Sequence, residues 1–147
     1  MRKKFEDCIG DRKLVETGSR DIELAKELLL MADLRERFWD SVKKKSKAFP
    51  SLFIEGHYEV IKELCTAILA ADGWKSLDHE CLFAYLRNKK PELELDFDYL
   101  LELKDLRNAI GYRGVQVSYD IWNNNELKLQ LTVKALKTYI ANRLIAT

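Results

Sequence analysis

The sequence predicts an all-α protein that folds as an antiparallel four-helix up-and-down bundle with extra short helices. Its 147 residues are one domain's length, and 47% of them are apolar against 33% charged, as in ordinary globular proteins. Apolar side chains recur at helical spacing in long segments, and Gly or Pro stands at the ends of those segments. We therefore expect a single domain over residues 1–147, with a core at about 21–145 and an N-terminal helical arm at 1–18.

Charge and cysteine content argue against several classes of function. Lys and Arg total 25 and Asp and Glu total 24, so nucleic acid could be contacted only through a local patch. No apolar run approaches the length of a membrane span, which predicts a protein with no membrane partner. The three widely spaced cysteines, Cys8, Cys65 and Cys81, fit reduced thiols in the cytoplasm. Because they form no Cys-x-x-Cys pair, we expect no metal, and nothing indicates a cofactor.

The first two segments of the chain are predicted to be helical. Residues 3–16 read as a short helix with few apolar positions, which Thr17, Gly18 and Ser19 end. Residues 21–45 carry a much stronger apolar stripe at helical spacing. That stripe consists of Ala25, Leu28, Ala32, Phe38 and Val42.

A second long helix is predicted over residues 50–71. Pro50 suits its first turn and Gly73 suits the residue that ends it. His57 lies on or beside its apolar face, where we expect a core imidazole with one hydrogen bond. The other members of that face are Phe53, Ile61, Leu64 and Ile68.

A short helix is predicted to follow a turn at residues 73–76. Ser76 or Asp78 can cap its first turn, and His79 and Glu80 are interpreted as first-turn residues.

Residues 92–98 alternate charged and apolar side chains like a strand, but a lone strand would have no partner in a helical chain. We interpret them as an extended linker in which Asp96 or Asp98 caps the next helix. The last helix is expected over residues 119–144, with an irregularity at 123–125.

The segment at residues 106–114, Leu-Arg-Asn-Ala-Ile-Gly-Tyr-Arg-Gly, concentrates cations, an amide and a phenol where a helix is expected to open into a loop. A helix end alone explains many of these residues, because cations complement the negative end of the helix dipole and glycine supplies a left-handed cap. Two arginines and two glycines exceed what one cap needs. The segment is therefore either a cap or a functional site.

The chain resembles the HEPN superfamily of all-α domains over roughly residues 21–145. The resemblance consists of two long helices, a turn before a short helix, and an Arg-Asn pair near the end of the helix before the last. The residues concerned are Gly73-Trp74-Lys75-Ser76, His79-Glu80-Cys81-Leu82 and Arg107-Asn108.

Members of that family typically carry an Arg, four to six intervening residues and a His. Many are metal-independent endoribonucleases, and they commonly dimerise so that both motifs face one cleft. Here Arg107 and Asn108 match the motif, and Tyr112 stands where the family has its His. The resemblance implies a homodimer, RNA or a nucleotide as ligand, and a nucleotidyltransferase as partner in a toxin-antitoxin-like system.

Cleavage of RNA without a metal requires a base, an acid and a group that stabilises the phosphorane charge. Arg107 suits the last task because its planar fork can hold two phosphate oxygens. Asn108 could orient the sugar or a water, and Tyr112 is a candidate acid or phosphate hydrogen-bond donor. Arg113 is a candidate phosphate or RNA contact. A purely structural role for Tyr112 is the alternative.

Three functions are consistent with these residues. The first is a non-catalytic or degenerate HEPN-like module that binds RNA or a nucleotide, or partners a nucleotidyltransferase. The second is a metal-independent endoribonuclease that uses Arg107, Asn108 and Tyr112. The third is a plain helical protein-interaction domain. The replaced His and the distributed charge favour the first.

Overall fold

The computed structural model describes residues 3–146, which form helices and one small sheet. In chain order the elements are α1 (Phe5–Gly10), β1 (Leu14–Glu16), α2 (Ile22–Lys45), α3 (Pro50–Asp72), β2 (Trp74–Ser76), α4 (His79–Lys89), a 3₁₀ helix (Pro91–Leu93), α5 (Phe97–Arg113) and α6 (Tyr119–Ile145). The protein is thus predominantly helical, as the periodicity predicted. Within residues 3–146, no helix is both long and apolar enough to cross a membrane.

Helix α3 lies at the centre of the fold. Most of its residues are buried, including Phe53, Ile61, Leu64 and Ile68 of the predicted apolar face. Helices α2, α4, α5 and α6 and strand β2 all pack against it, as a helix that is apolar on nearly every side requires. Each large apolar side chain buried in this way contributes about 1.5–3 kcal/mol. Packing around α3 is therefore the main source of stability.

His57 is a core imidazole, as predicted. Its side chain is buried, its Nδ1 lies 2.7 Å from the Phe53 carbonyl oxygen, and its ring packs 4.8 Å from that of Trp122. Burial lowers the pKa of His57 below its ordinary value, so the ring stays neutral and Nδ1–H donates to the carbonyl.

The predicted helix boundaries of the middle of the chain are largely confirmed. Asp78 caps α4 by accepting a 2.8 Å hydrogen bond from the Cys81 amide, and Asp96 caps α5 by accepting one of 3.0 Å from the Tyr99 amide. Helix α3 ends at Gly73, whose φ of +81° is the left-handed conformation that favours glycine.

The N-terminal prediction of one helix over residues 3–16 is wrong. Helix α1 has six residues and β1 follows it. Strand β1 pairs antiparallel with β2, so that Val15 lies opposite Lys75, in the segment that was expected to be a turn. Two three-residue strands carry little local signal, and only their pairing across the chain stabilises them.

Two boundaries in the C-terminal half also differ from the prediction. Helix α5 does not open at Gly111 but continues to Arg113, and Gly114, at φ +64°, ends it in the left-handed conformation. Helix α6 is continuous through residues 123–125. Asn125 supports the helix there, because its side-chain amide donates to the Ile121 carbonyl and its side-chain oxygen accepts from the Tyr99 hydroxyl.

The expectation of three reduced cysteines is also wrong. A disulfide joins Cys8 on α1 to Cys81 on α4, and only Cys65 is free, buried in α3. Spacing alone did not suggest this pair, because 73 residues separate its members. The bond attaches the N-terminal arm to the short helix that follows β2.

Helices α2 and α3 approach closely at Gly56, where a Cβ atom would overlap the indole of Trp39. We expect Gly56→Ala to lower the free energy of unfolding by about 1–3 kcal/mol, because the packed indole must move. Gly10→Ala is the control, since nothing lies within 4 Å of a Cβ at that position. Urea unfolding measures the free energy of unfolding of both variants. An unchanged free energy of unfolding in Gly56→Ala would contradict the close approach of α2 and α3.

Protein purified without reductant should contain one reactive thiol after unfolding, that of Cys65. Reduction should lower the free energy of unfolding by about 2–4 kcal/mol, because the open chain gains conformational entropy when unfolded. Alkylation followed by mass spectrometry counts the thiols, and denaturation with and without reductant measures the difference. Three alkylated cysteines in the unreduced protein would show that the disulfide is absent.

Candidate functional site

Arg107 projects from α5 toward the acidic residues of α3. Its Nη2 lies 3.2 Å from the Glu59 Oε1, and Glu59 also pairs with Lys62 at 2.9 Å. The arginine side chain is only 20% exposed, and Glu59 is 27% exposed. The guanidinium thus forms an ion pair with a carboxylate of its own chain, while its buried Nε and the Glu59 Oε1 make no hydrogen bond to any described residue.

A second carboxylate lies beside this ion pair. A Cβ atom at Gly111 would stand 3.5 Å from the Glu55 Oε2 and 3.8 Å from the Arg107 Nη1, so Gly111 leaves room for both side chains. Glu55 and Glu59 are four residues apart and therefore share one face of α3. Arg107 faces two acids across the α3–α5 contact.

The charges in this cluster shift each other's pKa. Burial raises the pKa of Glu59, but the Lys62 and Arg107 cations outweigh burial and hold it below its ordinary value. Burial lowers the pKa of Arg107, but Tyr112 and Glu59 outweigh it and raise the pKa. Both groups are therefore charged at neutral pH.

Tyr112 lies over the same guanidinium but faces solvent. The Arg107 Cζ is 5.6 Å from the centre of its ring, and Tyr112 is 77% exposed. Asn108 is half-buried, and Arg113 is exposed in the last turn of α5. The structure thus brings Arg107 and Tyr112 together and places Arg113 at the open end of the helix.

His79 also lies close enough to the charges of Lys62, Glu59 and Arg107 to interact with them. It is the first residue of α4, as predicted, but its Nδ1 lies 2.9 Å from the Tyr58 hydroxyl on α3. Burial, with the nearby charges of Lys62 and Arg107, lowers the pKa of His79 and keeps the ring neutral at pH 7. Only the packing of α4 on α3 brings this imidazole near Arg107, and no local pattern records that packing.

The ion pair with Glu59 limits how Arg107 can interact with a phosphate. A phosphate that approaches Arg107 competes with Glu59 for the guanidinium, and that competition reduces the charge stabilisation available to a phosphorane. Within residues 3–146, Arg113 forms no ion pair, and Tyr112 is 77% exposed. Among the described residues, no group of three or more His, Cys, Asp or Glu is placed to hold a metal ion.

A double-mutant cycle on Arg107 and Glu59 tests the ion pair. We expect Arg107→Ala and Glu59→Gln to couple by about 1–2 kcal/mol at pH 7, because each removes the other's half-buried partner. The folded pKa of Glu59 is lowered, so the coupling is fully present above about pH 4.3 and disappears as pH falls through the folded pKa. Denaturant unfolding at several pH values measures it.

The control is the exposed pair Lys26 and Glu23, which are 3.7 Å apart and more than half exposed. The corresponding cycle, Lys26→Ala with Glu23→Gln, should show coupling of less than about 0.5 kcal/mol. Equal coupling for the two pairs would contradict the partial burial of Arg107.

Comparison of the chain with protein-family models, with curated proteins and with solved structures finds no match. The resemblance to the HEPN superfamily therefore rests on the helices and on the Arg107-Asn108 motif.

Proposed function

We propose that this protein is a non-catalytic HEPN-like helical module that binds RNA or a nucleotide at the end of α5. One observation carries the proposal: Arg107 is bound by Glu59, whereas Tyr112 lies over it with its ring exposed. An exposed aromatic ring can stack on a base, and Arg113 in the last turn can contact a phosphate. Arg107 then orients Tyr112, and the bound RNA is not cleaved.

The proposal includes an assembly that follows from the resemblance. Helices α2, α3, α5 and α6 are the four members of an up-and-down bundle, and two copies pair with their motifs in one cleft. The partner is a minimal nucleotidyltransferase in a toxin-antitoxin-like system. A cytoplasmic location belongs to the same proposal, and the Cys8–Cys81 disulfide bears on it because reducing compartments disfavour such bonds. Alkylation of thiols in intact cells tests the location.

The second candidate is a metal-independent endoribonuclease that uses Arg107, Asn108 and Tyr112. The contact between Arg107 and Tyr112 favours it, because the phenol then lies beside a cation that could hold the phosphate. The neutral imidazole of His79 lies in the same charged cluster. This function requires the phosphate to displace Glu59 from Arg107.

RNA binding tests the first candidate. A single-stranded RNA oligonucleotide in EDTA should bind, and Tyr112→Ala should weaken its binding by about 5- to 150-fold, because base stacking contributes about 1–3 kcal/mol. Arg113→Ala should reduce the slope of the logarithm of the binding constant against the logarithm of the salt concentration by about one, because one phosphate contact is lost. Lys26→Ala, which removes an exposed cation from the first half of α2, should change neither quantity. Fluorescence anisotropy over a range of salt concentrations measures all four proteins.

Cleavage assays on the same RNA separate the candidates. If the parent protein leaves the RNA intact, the binding module is supported. If Tyr112→His gains cleavage, the site is an inactive form of the family's catalytic site. Cleavage by the parent that Arg107→Ala abolishes would establish the endoribonuclease instead. If the parent protein neither binds nor cleaves the RNA, both candidates are overturned and a plain interaction domain is favoured.

A further inference from the structure

A cavity of about 750 Å³ lies between the small sheet, the start of α2, and helices α3 and α4. Its volume is within the range of small-molecule sites, about 300–1,000 Å³. One part of its lining is apolar and another part is polar and cationic. The apolar part includes Leu24, Leu69, Trp74, Leu77 and Leu82.

Three cations border the cavity: Arg20, Lys62 and Lys75. Lys62 pairs with Glu59, but within residues 3–146 neither Arg20 nor Lys75 forms an ion pair. Arg20, in the loop before α2, and Lys75, in β2, therefore add positive charge to the lining without a carboxylate partner of their own among the described residues.

The acids that border the cavity already form hydrogen bonds or ion pairs within the chain. Asp21 accepts a 3.0 Å hydrogen bond from the Leu24 amide at the start of α2. Asp78 pairs with Lys3 and accepts from the Cys81 amide at the start of α4. Both carboxylates serve as helix caps, so they neutralise the basic side of the cavity only in part.

His79 adds a polar group to the lining. Its Nδ1 is taken by the Tyr58 hydroxyl, which leaves Nε2 as the ring nitrogen that a ligand can reach. Its orientation is fixed by the start of α4 and by the ring of Tyr58, 5.7 Å away between centroids. The cavity thus combines an oriented imidazole with cations, four leucines and the ring of Trp74.

We propose that this cavity binds a small organic phosphate with a planar apolar part. Inorganic phosphate alone would leave the wall of leucines and Trp74 uncovered, and a neutral apolar molecule would leave Arg20 and Lys75 without a counter-charge. A ligand with a phosphate and an apolar part can contact both the cations and the apolar lining of the cavity. Lys62 and His79 lie between this site and Arg107. Neither Tyr112 nor Arg113 lines the cavity, so the proposal does not depend on RNA binding at those residues.

Adenosine monophosphate is the probe for this site, measured by isothermal titration calorimetry on the oxidised full chain. Arg20→Ala and Lys75→Ala should each weaken its binding by about tenfold or more, because each removes a charge-assisted contact to the phosphate. Both side chains are exposed, so the variants should keep the circular dichroism of the parent. Lys44→Ala, an exposed lysine near the other end of α2, is the matched control and should bind like the parent.

Adenosine and inorganic phosphate separate the two parts of the ligand. Each should bind about tenfold or more weakly than the monophosphate, since each lacks one half of the contacts. If adenosine binds as tightly as the monophosphate, the claim that the cavity recognises a phosphate is overturned. If inorganic phosphate binds as tightly, the claim that the cavity recognises an apolar part is overturned. No saturable binding of the monophosphate at about 5 mM would overturn the proposal.

Tryptophan fluorescence locates the bound probe. Trp74 lines the cavity, whereas Trp39 and Trp122 pack elsewhere against Phe53. Quenching by the monophosphate should therefore disappear in Trp74→Phe while calorimetry still detects binding. Quenching that persists in Trp74→Phe would place the probe outside this cavity and overturn the assignment.

Discussion

Burial of α3 is the constraint on which the rest of the structure depends. A helix covered on nearly every side can carry charged residues only where a neighbour pairs with them, because an unpaired buried charge is costly. Three of the acids of α3 meet this condition: Glu63 pairs with Arg35 of α2, and Glu59 pairs with Arg107 of α5. Asp72, its last residue, pairs with Lys90 at 3.0 Å. Each of these three pairs joins α3 to another part of the fold.

The same constraint explains the character of the candidate site. Arg107 was noticed in the sequence as a cation near a helix end, which suggests either a cap or a phosphate site. In the folded chain α5 continues past Arg107, whose guanidinium forms an ion pair with Glu59 while its buried Nε makes no hydrogen bond within residues 3–146. Tyr112 and Arg113 lie beyond this ion pair, in the last turn of α5, where both side chains are exposed.

Local physics explains which predictions were confirmed. The long helices follow from apolar periodicity and from caps such as Asp78, Asp96 and Gly73, all of which depend on neighbours within a few residues. The pairing of β1 with β2 and the Cys8–Cys81 bond join distant segments, for which periodicity carries no information. The role of His79 was missed for the same reason: its partner Tyr58 lies 21 residues away on another helix.

The N-terminal arm, expected to be an added helix, packs as part of the fold beside β2 and α4. Beyond the disulfide to α4, the Leu77 amide donates to the Lys13 carbonyl at 2.8 Å, and the Thr17 amide donates to the Gly73 carbonyl at 2.9 Å. These bonds hold β1 and the following residues against β2, on the side of the fold where Trp74 and Lys75 border the cavity. Because these contacts all connect the arm to the segment between α3 and α4, the shape of the cavity depends on the arm. Residues 3–18 therefore belong to the folded domain rather than to an appendage of it.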